Sequence, residues 1–180
     1  PQRVSECVKM VSEIYRKNGI IPCLKHFPGH GDADKDSHLT LPQINLAMNE
    51  MEKVHIKPFK DNINAEMIMV AHLHCSCFDK EVLPASLSKN AVGYLRGVLN
   101  YRGVVITDDM VMKGVQNFGA VDACVRALLA GVDMFIYREA DKTTIEVIEG
   151  LIRKCENNEA LKKRVLEANS RILELKRRFK

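Results

Sequence analysis

The feature that most constrains this chain is a strand-and-helix alternation that recurs four times along it. Four short apolar runs read as strands: Ile20-Ile21-Pro22-Cys23-Leu24, Met67-Ile68-Met69-Val70-Ala71, Val104-Val105-Ile106-Thr107 and Met134-Phe135-Ile136-Tyr137. The second is continuous rather than alternating, which predicts burial on both faces. Helical spacing fills the intervals. It runs from Leu46 to Val54 and resumes after Pro58. Ser88 caps a helix carrying Val92, Leu95, Val98 and Leu99 that Gly103 ends, and a helix lined by Val121, Cys124, Val125, Leu128 and Leu129 stops at Gly131. Another helix, with Val4, Cys7, Val8, Val11, Ile14 and Tyr15 on one face, precedes the first run, and two more helical stretches lie between about Thr143 and Lys180. Alternation of this kind means parallel strands with helical crossovers, an α/β architecture.

Composition narrows the function classes. The 180 residues suit one domain, and 27 basic against 23 acidic side chains leave a net charge of +4. With so small a surplus, 6% aromatic residues and no Trp, nucleic acid is not an expected partner. No apolar run reaches the roughly 18–20 residues of a membrane span, so no membrane partner is expected either. The chain starts Pro-Gln-Arg without an initiator Met or a signal-peptide core, and is expected to be a segment of something longer. Its six cysteines mostly sit among apolar residues, which predicts reduced, structural thiols and a cytoplasmic setting.

Ionisable residues collect just after the strands. His26 and His30 follow the first, His72 and His74 the second, Asp108 and Asp109 the third, and Arg138 and Glu139 the fourth. In a parallel sheet these positions share one rim, where α/β proteins bind ligands. The densest stretch runs from Lys25 to His38 and supports three readings. Asp32, Asp34 and Asp36 match the first ligands of a calcium loop, but Ser37 and Gln43 stand where that loop wants Gly and Glu. His72 and His74, two apart on a strand, point to one side and suit a transition metal, with Cys75 and Cys77 close by for zinc. Asp36 and His38 suit acid–base chemistry, because a carboxylate bonded to one ring nitrogen orients the imidazole and raises its basicity.

Lys25-His26-Phe27-Pro28-Gly29-His30-Gly31, followed by Asp36-Ser37-His38 and Leu41-Pro42, resembles the signature of glycoside hydrolase family 3, in its bacterial β-N-acetylglucosaminidase branch. Pro58-Phe59-Lys60, Ala71-His72, Pro84-Ala85-Ser86-Leu87-Ser88, Gly103 to Lys113, Ala130 to Met134 and Arg171 to Lys176 resemble the family's pattern in the same order. The resemblance implies a retaining hydrolase of terminal β-N-acetylglucosaminides, from cell-wall muropeptides (peptidoglycan recycling) or chitin-type oligosaccharides, with no cofactor and no metal. It implies Asp108 as nucleophile, in preference to the neighbouring Asp109, and His38 paired with Asp36 as general acid/base. Lys25, His26, His72 and Met112 are implied at the sugar. An imidazole acid/base departs from the usual pair of carboxylates, but titrates near neutrality without perturbation.

The resemblance also implies a (β/α)₈ TIM barrel, which usually takes about 250 residues. The four βα units are then strands 5–8, and residues 1–180 a single partial domain, the C-terminal half of a catalytic barrel. Such a half leaves two strand edges and the inward strand faces uncovered. Self-association, or pairing with a complementary half-barrel, is the expected response, and the isolated chain is expected to be weakly active or inactive. A metal-dependent hydrolase using His72 and His74, and a non-catalytic remnant that binds sugar or a partner, are the alternatives.

Overall fold

The computed structural model of this protein describes residues 1–33 and 41–179. Its centre is a parallel sheet whose strands, in spatial order, are β1 (Cys23–Phe27), β3 (Met67–Val70), β5 (Val104–Asp109) and β6 (Met134–Ile136). β2 (Gln43–Ile44) and β4 (His74–Cys75) form a separate parallel pair. The helices are α1 (Gln2–Lys17), α2 (48–61), α3 (89–98), α4 (Lys113–Gln116), α5 (Ala120–Ala130), α6 (Lys142–Glu156) and α7 (Glu159–Arg178). Each strand of the main sheet lies beside the one before it in the chain, with helices in the crossovers, which is the progression of part of a (β/α)₈ barrel.

Local chemistry sets most element ends. Ser88, Asp141 and Asn158 cap α3, α6 and α7, each accepting a hydrogen bond from a backbone N–H three residues on. Gly131 closes α5 at φ +119°, a conformation an L side chain rarely adopts. The first strand begins at Cys23, three residues later than the apolar run suggests, and extends through Lys25 and His26 to Phe27. Pro22 has no N–H to contribute to a ladder, so pairing starts only beyond it. The two helical stretches expected on either side of Pro58 form one helix, α2, whose middle, Met51–Ile56, is π-helical. Pro58 cannot donate the usual bond to residue 54, and the widened turn ahead of it accommodates that loss.

The core lies between the sheet and the helices, where Leu24, Phe27, Ile68, Val70, Val105, Leu95, Ala127 and Val132 are all buried. At the N-terminal end of β6, Asp133 is fully buried. It accepts from the Val105 N–H at 2.9 Å, from Arg164 at 2.5 Å and from Arg171 at 2.9 Å, and also pairs with Arg96. This carboxylate ties α3, β5, β6 and α7 together. β3 differs from the expectation of burial on both faces: Ile68 and Val70 are fully buried, whereas Met67 and Met69 are only half-buried. Their face looks into the barrel side of the sheet, which the four strands do not enclose. Apolar side chains also stay exposed along the two sheet edges, on α1 (Met10, Val11, Ile14) and on α6 (Ile145, Ile148, Ile152).

Candidate active site

Because the strands run parallel, their C-terminal ends meet on one rim. β1 brings Lys25, exposed, and His26, half-buried. β5 brings Asp108 and Asp109 at its end, and Arg138 lies just beyond β6. His26 Nε2 stands 3.6 Å from Asp108 Oδ2, longer than a hydrogen bond but close enough for each to feel the other's charge. Burial pushes the His26 imidazole below its ordinary value. Asp108 opposes that shift, and Lys25 and His30 add to it. The His30 ring sits edge-on to His26, with centroids 6.0 Å apart.

The two successive aspartates face different partners. Asp109 is engaged on both oxygens: Oδ1 accepts from the Val111 N–H at 3.2 Å, and Oδ2 lies 3.5 Å from Arg138 Nε. Asp108 Oδ1 accepts from the Asp109 N–H at 2.8 Å, while Oδ2 is turned towards His26. The alternation of side chains along a strand produces this division.

His72, two residues beyond β3, is buried against the end of β5. Its Nε2–H donates to the Asp109 carbonyl at 3.1 Å, which leaves Nδ1 as acceptor for the Ser86 hydroxyl at 2.7 Å. Burial lowers its pKa, against the pull of the Asp108 and Asp109 carboxylates and carbonyls. Both ring nitrogens of His72 are thus engaged, which ties the end of β5 to Ser86. His72 and His74 do not share a strand face as expected, because β3 ends at Val70 and His74 opens β4. His74 is buried with Nδ1 3.3 Å from the Leu83 N–H. The two imidazoles therefore do not converge, and among the described residues no group of three His, Cys, Asp or Glu could hold a metal ion. Met112 is buried at the start of α4, 7% exposed.

Asp36 and His38, the expected acid/base pair, lie outside the described residues, as does Asp34. The chain on either side is anchored. Asp32 pairs with the buried His55 of α2, whose Nε2 lies 2.9 Å from Oδ2. Gly29 adopts φ +120°, and a Cβ there would stand 2.7 Å from the His55 Cβ. On the far side, the Pro42 carbonyl accepts from the His74 N–H at 2.9 Å. His55 was not among the sequence candidates. Its signal was its position on the apolar face of α2 with Met51, Ile56 and Phe59, where an imidazole needs a partner.

The glycosyl hydrolase family 3 N-terminal domain matches residues 1–175. The β-hexosaminidase of Tolumonas auensis is 30% identical over 156 residues, covering 84% of this chain and 46% of the relative. Beta-hexosaminidase A of Pseudoalteromonas piscicida is 35% identical over 131 residues, 64% of this chain and 22% of the relative. Among solved structures, a family 3 β-N-acetylglucosaminidase from a Paenibacillus species superposes with a TM-score of 0.86 at 32% identity, over 92% of this chain and 32% of that one. The β-N-acetylglucosaminidase from Thermotoga maritima gives 0.82 at 28% identity, over 91% of this chain and 36% of that one. The chain spans less than half the length of each of these relatives.

Proposed function

We propose that this chain, which belongs to glycosyl hydrolase family 3, carries the catalytic rim of an enzyme that removes terminal β-N-acetylglucosamine with retention of configuration. The observation that supports it most directly is the division of labour at the end of β5: Asp109 is occupied by Arg138 and the Val111 amide, while Asp108 Oδ2 is turned to the rim beside His26.

In the first step an Asp108 oxygen attacks the anomeric carbon, and the bond to the leaving oxygen breaks. The electron pair departs with that oxygen, which takes a proton from His38, oriented by Asp36. In the second step His38 removes a proton from water. The water oxygen then attacks the anomeric carbon from the opposite side and releases the Asp108 carboxylate. Lys25 and His26 hydrogen-bond the sugar hydroxyls, and His72, bonded to the Asp109 carbonyl, holds the nucleophile's backbone. The substrate is an N-acetylglucosamine-containing oligosaccharide, of cell-wall or chitin type.

The experiment is covalent trapping with an activated, fluorinated N-acetylglucosaminide, chosen because it slows breakdown of the glycosyl-enzyme. Mass spectrometry of the digested protein is expected to place the added sugar on Asp108. Asp108→Asn is expected to remove the label. A label on Asp109, or a label retained in Asp108→Asn, overturns the assignment.

A further inference from the structure

The turn that follows β1 is moulded on one side chain of α2. His55 lies in the π-helical stretch Met51–Ile56, whose widened repeat buries Met51, His55 and Ile56 together. From Gly29 to Asp32 the chain follows the edge of its imidazole. A Cβ on Gly29 would stand 2.7 Å from the His55 Cβ and 3.1 Å from Nδ1, and one on Gly31 would stand 3.8 Å from Cε1. Asp32 Oδ2 then meets Nε2 at 2.9 Å. An ionised carboxylate has no proton to give, so the Nε2–H donates. The two partners differ in burial: the His55 side chain is 6% exposed and that of Asp32 is 64% exposed. The helix is therefore the fixed side of the pair, and Asp32 is the group that is held. The same turn is tied to the rim where it starts, because the His26 carbonyl accepts from the Gly29 N–H at 2.8 Å. Further on, the His30 carbonyl accepts from the Ala33 N–H at 3.3 Å.

We propose that His55 is a positioning residue: through Asp32 it fixes the point at which the chain leaves the β1 turn towards Asp36 and His38. This rests on the reading of His38 and Asp36 as the acid/base pair. Asp32 precedes Asp36 by four residues and His38 by six, so its placement bears directly on theirs. The other end of the stretch is fixed as well. The Pro42 carbonyl accepts from the His74 N–H at 2.9 Å, and the Ile44 carbonyl accepts from the Ser76 N–H at 3.1 Å. β4 thus holds the exit, and α2 holds the entry. An apolar residue at position 55 would fill the space beside Met51 and Ile56 equally well, but would offer Asp32 no donor. The imidazole there does what packing alone does not require. A proton donor must stand within hydrogen-bond reach of the leaving oxygen, and a misplacement of about 1 Å costs far more in rate than in stability.

Amide hydrogen exchange of the full chain, followed by NMR, tests the anchor without any turnover. Asp32→Ala removes the acceptor at an exposed position. His55→Phe removes the donor and keeps the bulk, and His55→Gln retains an N–H near the place of Nε2. The Gly29 and Ala33 amides are expected to exchange roughly 10-fold faster in Asp32→Ala and in His55→Phe. The double variant is expected to be no faster than His55→Phe, and His55→Gln to stay near the wild-type rate. Wild-type exchange of both amides in Asp32→Ala, or an acceleration spread equally over β3 and β5, overturns the proposal. The consequence for chemistry is read from the leaving group. A 2,4-dinitrophenolate departs without a proton, whereas a phenolate needs one. Asp32→Ala is expected to lower kcat/KM for the phenyl N-acetylglucosaminide about 10-fold, and for the dinitrophenyl one less than about 2-fold. Equal losses on both substrates would make the pair merely structural and overturn the positioning role. A wild-type chain with neither turnover nor a label on Asp108 counts against the hydrolase reading, and the exchange rates still decide the anchor.

Discussion

His72 shows how one side chain's surroundings set both its role and its pH response. Its ring is enclosed, donates to the Asp109 carbonyl and accepts from Ser86, and its pKa falls below the ordinary 6.5. A base whose folded pKa is depressed stabilises the fold above its unfolded pKa. Below that value the unfolded chain binds the proton first. Stability is therefore expected to decline as pH falls through about 6.5 towards the lower folded value, with His26 contributing in the same direction. His72→Phe keeps the bulk but strands the Ser86 hydroxyl and the Asp109 carbonyl, at a cost of about 1–3 kcal/mol. Urea midpoints between pH 7 and pH 5 check both statements: the wild-type protein loses stability across the range, and the variant loses part of that slope. An unchanged slope in His72→Phe would remove His72 from the account.

At the scale of elements, Asp133 is the strongest single tie. One buried carboxylate joins α3 through Arg96, β5 through the Val105 N–H and α7 through Arg164 and Arg171. Removing it leaves three guanidinium groups without their shared partner, and breaking a buried pair in this way costs about 3–5 kcal/mol. Asp133→Ala is expected to lose that much in urea unfolding; a loss below about 1 kcal/mol would show that the arginines find other partners. Gly29 is a second element-level constraint. It has φ +120°, and His55 Cβ lies 2.7 Å from where its own Cβ would be, so Gly29→Ala must displace α2 or the turn after β1. The expected loss is on the order of 2–3 kcal/mol, with weakened labelling of Asp108 if the rim moves too. These elements were legible to different degrees. Ser88 as a cap and Gly131 as a stop were readable because each acts through its immediate neighbours. The late start of β1, the π-helical turn in α2 and the β2–β4 pair were not readable. They follow from which strand lies alongside and from how Pro58 is accommodated.

At the scale of the whole molecule, among the described residues the main sheet ends at β1 and at β6, each bordered by exposed apolar helix faces. A groove of about 700 Å³ runs between α1 and α2 along β1, and one of about 640 Å³ between α6 and α7 beside Phe135 of β6. Burial of such surface is the driving force for association. The isolated chain is expected to show a light-scattering mass above that of the 20.3 kDa monomer at tens of micromolar. Ile148→Glu combined with Ile152→Glu is expected to reduce that mass; a wild-type protein that stays monomeric would argue against association through these faces. The sequence by itself determined the parallel α/β order, the rim that gathers His26, Asp108 and Arg138, and the family. Strand periodicity, caps and the Lys25-to-Gly31 motif are written in residues adjacent along the chain. Only the tertiary structure decided which aspartate is occupied, that His72 and His74 part company, and that His55 braces Asp32. Each of these depends on contacts between residues distant in the chain or on the exact course of a turn, and neither is fixed by spacing alone.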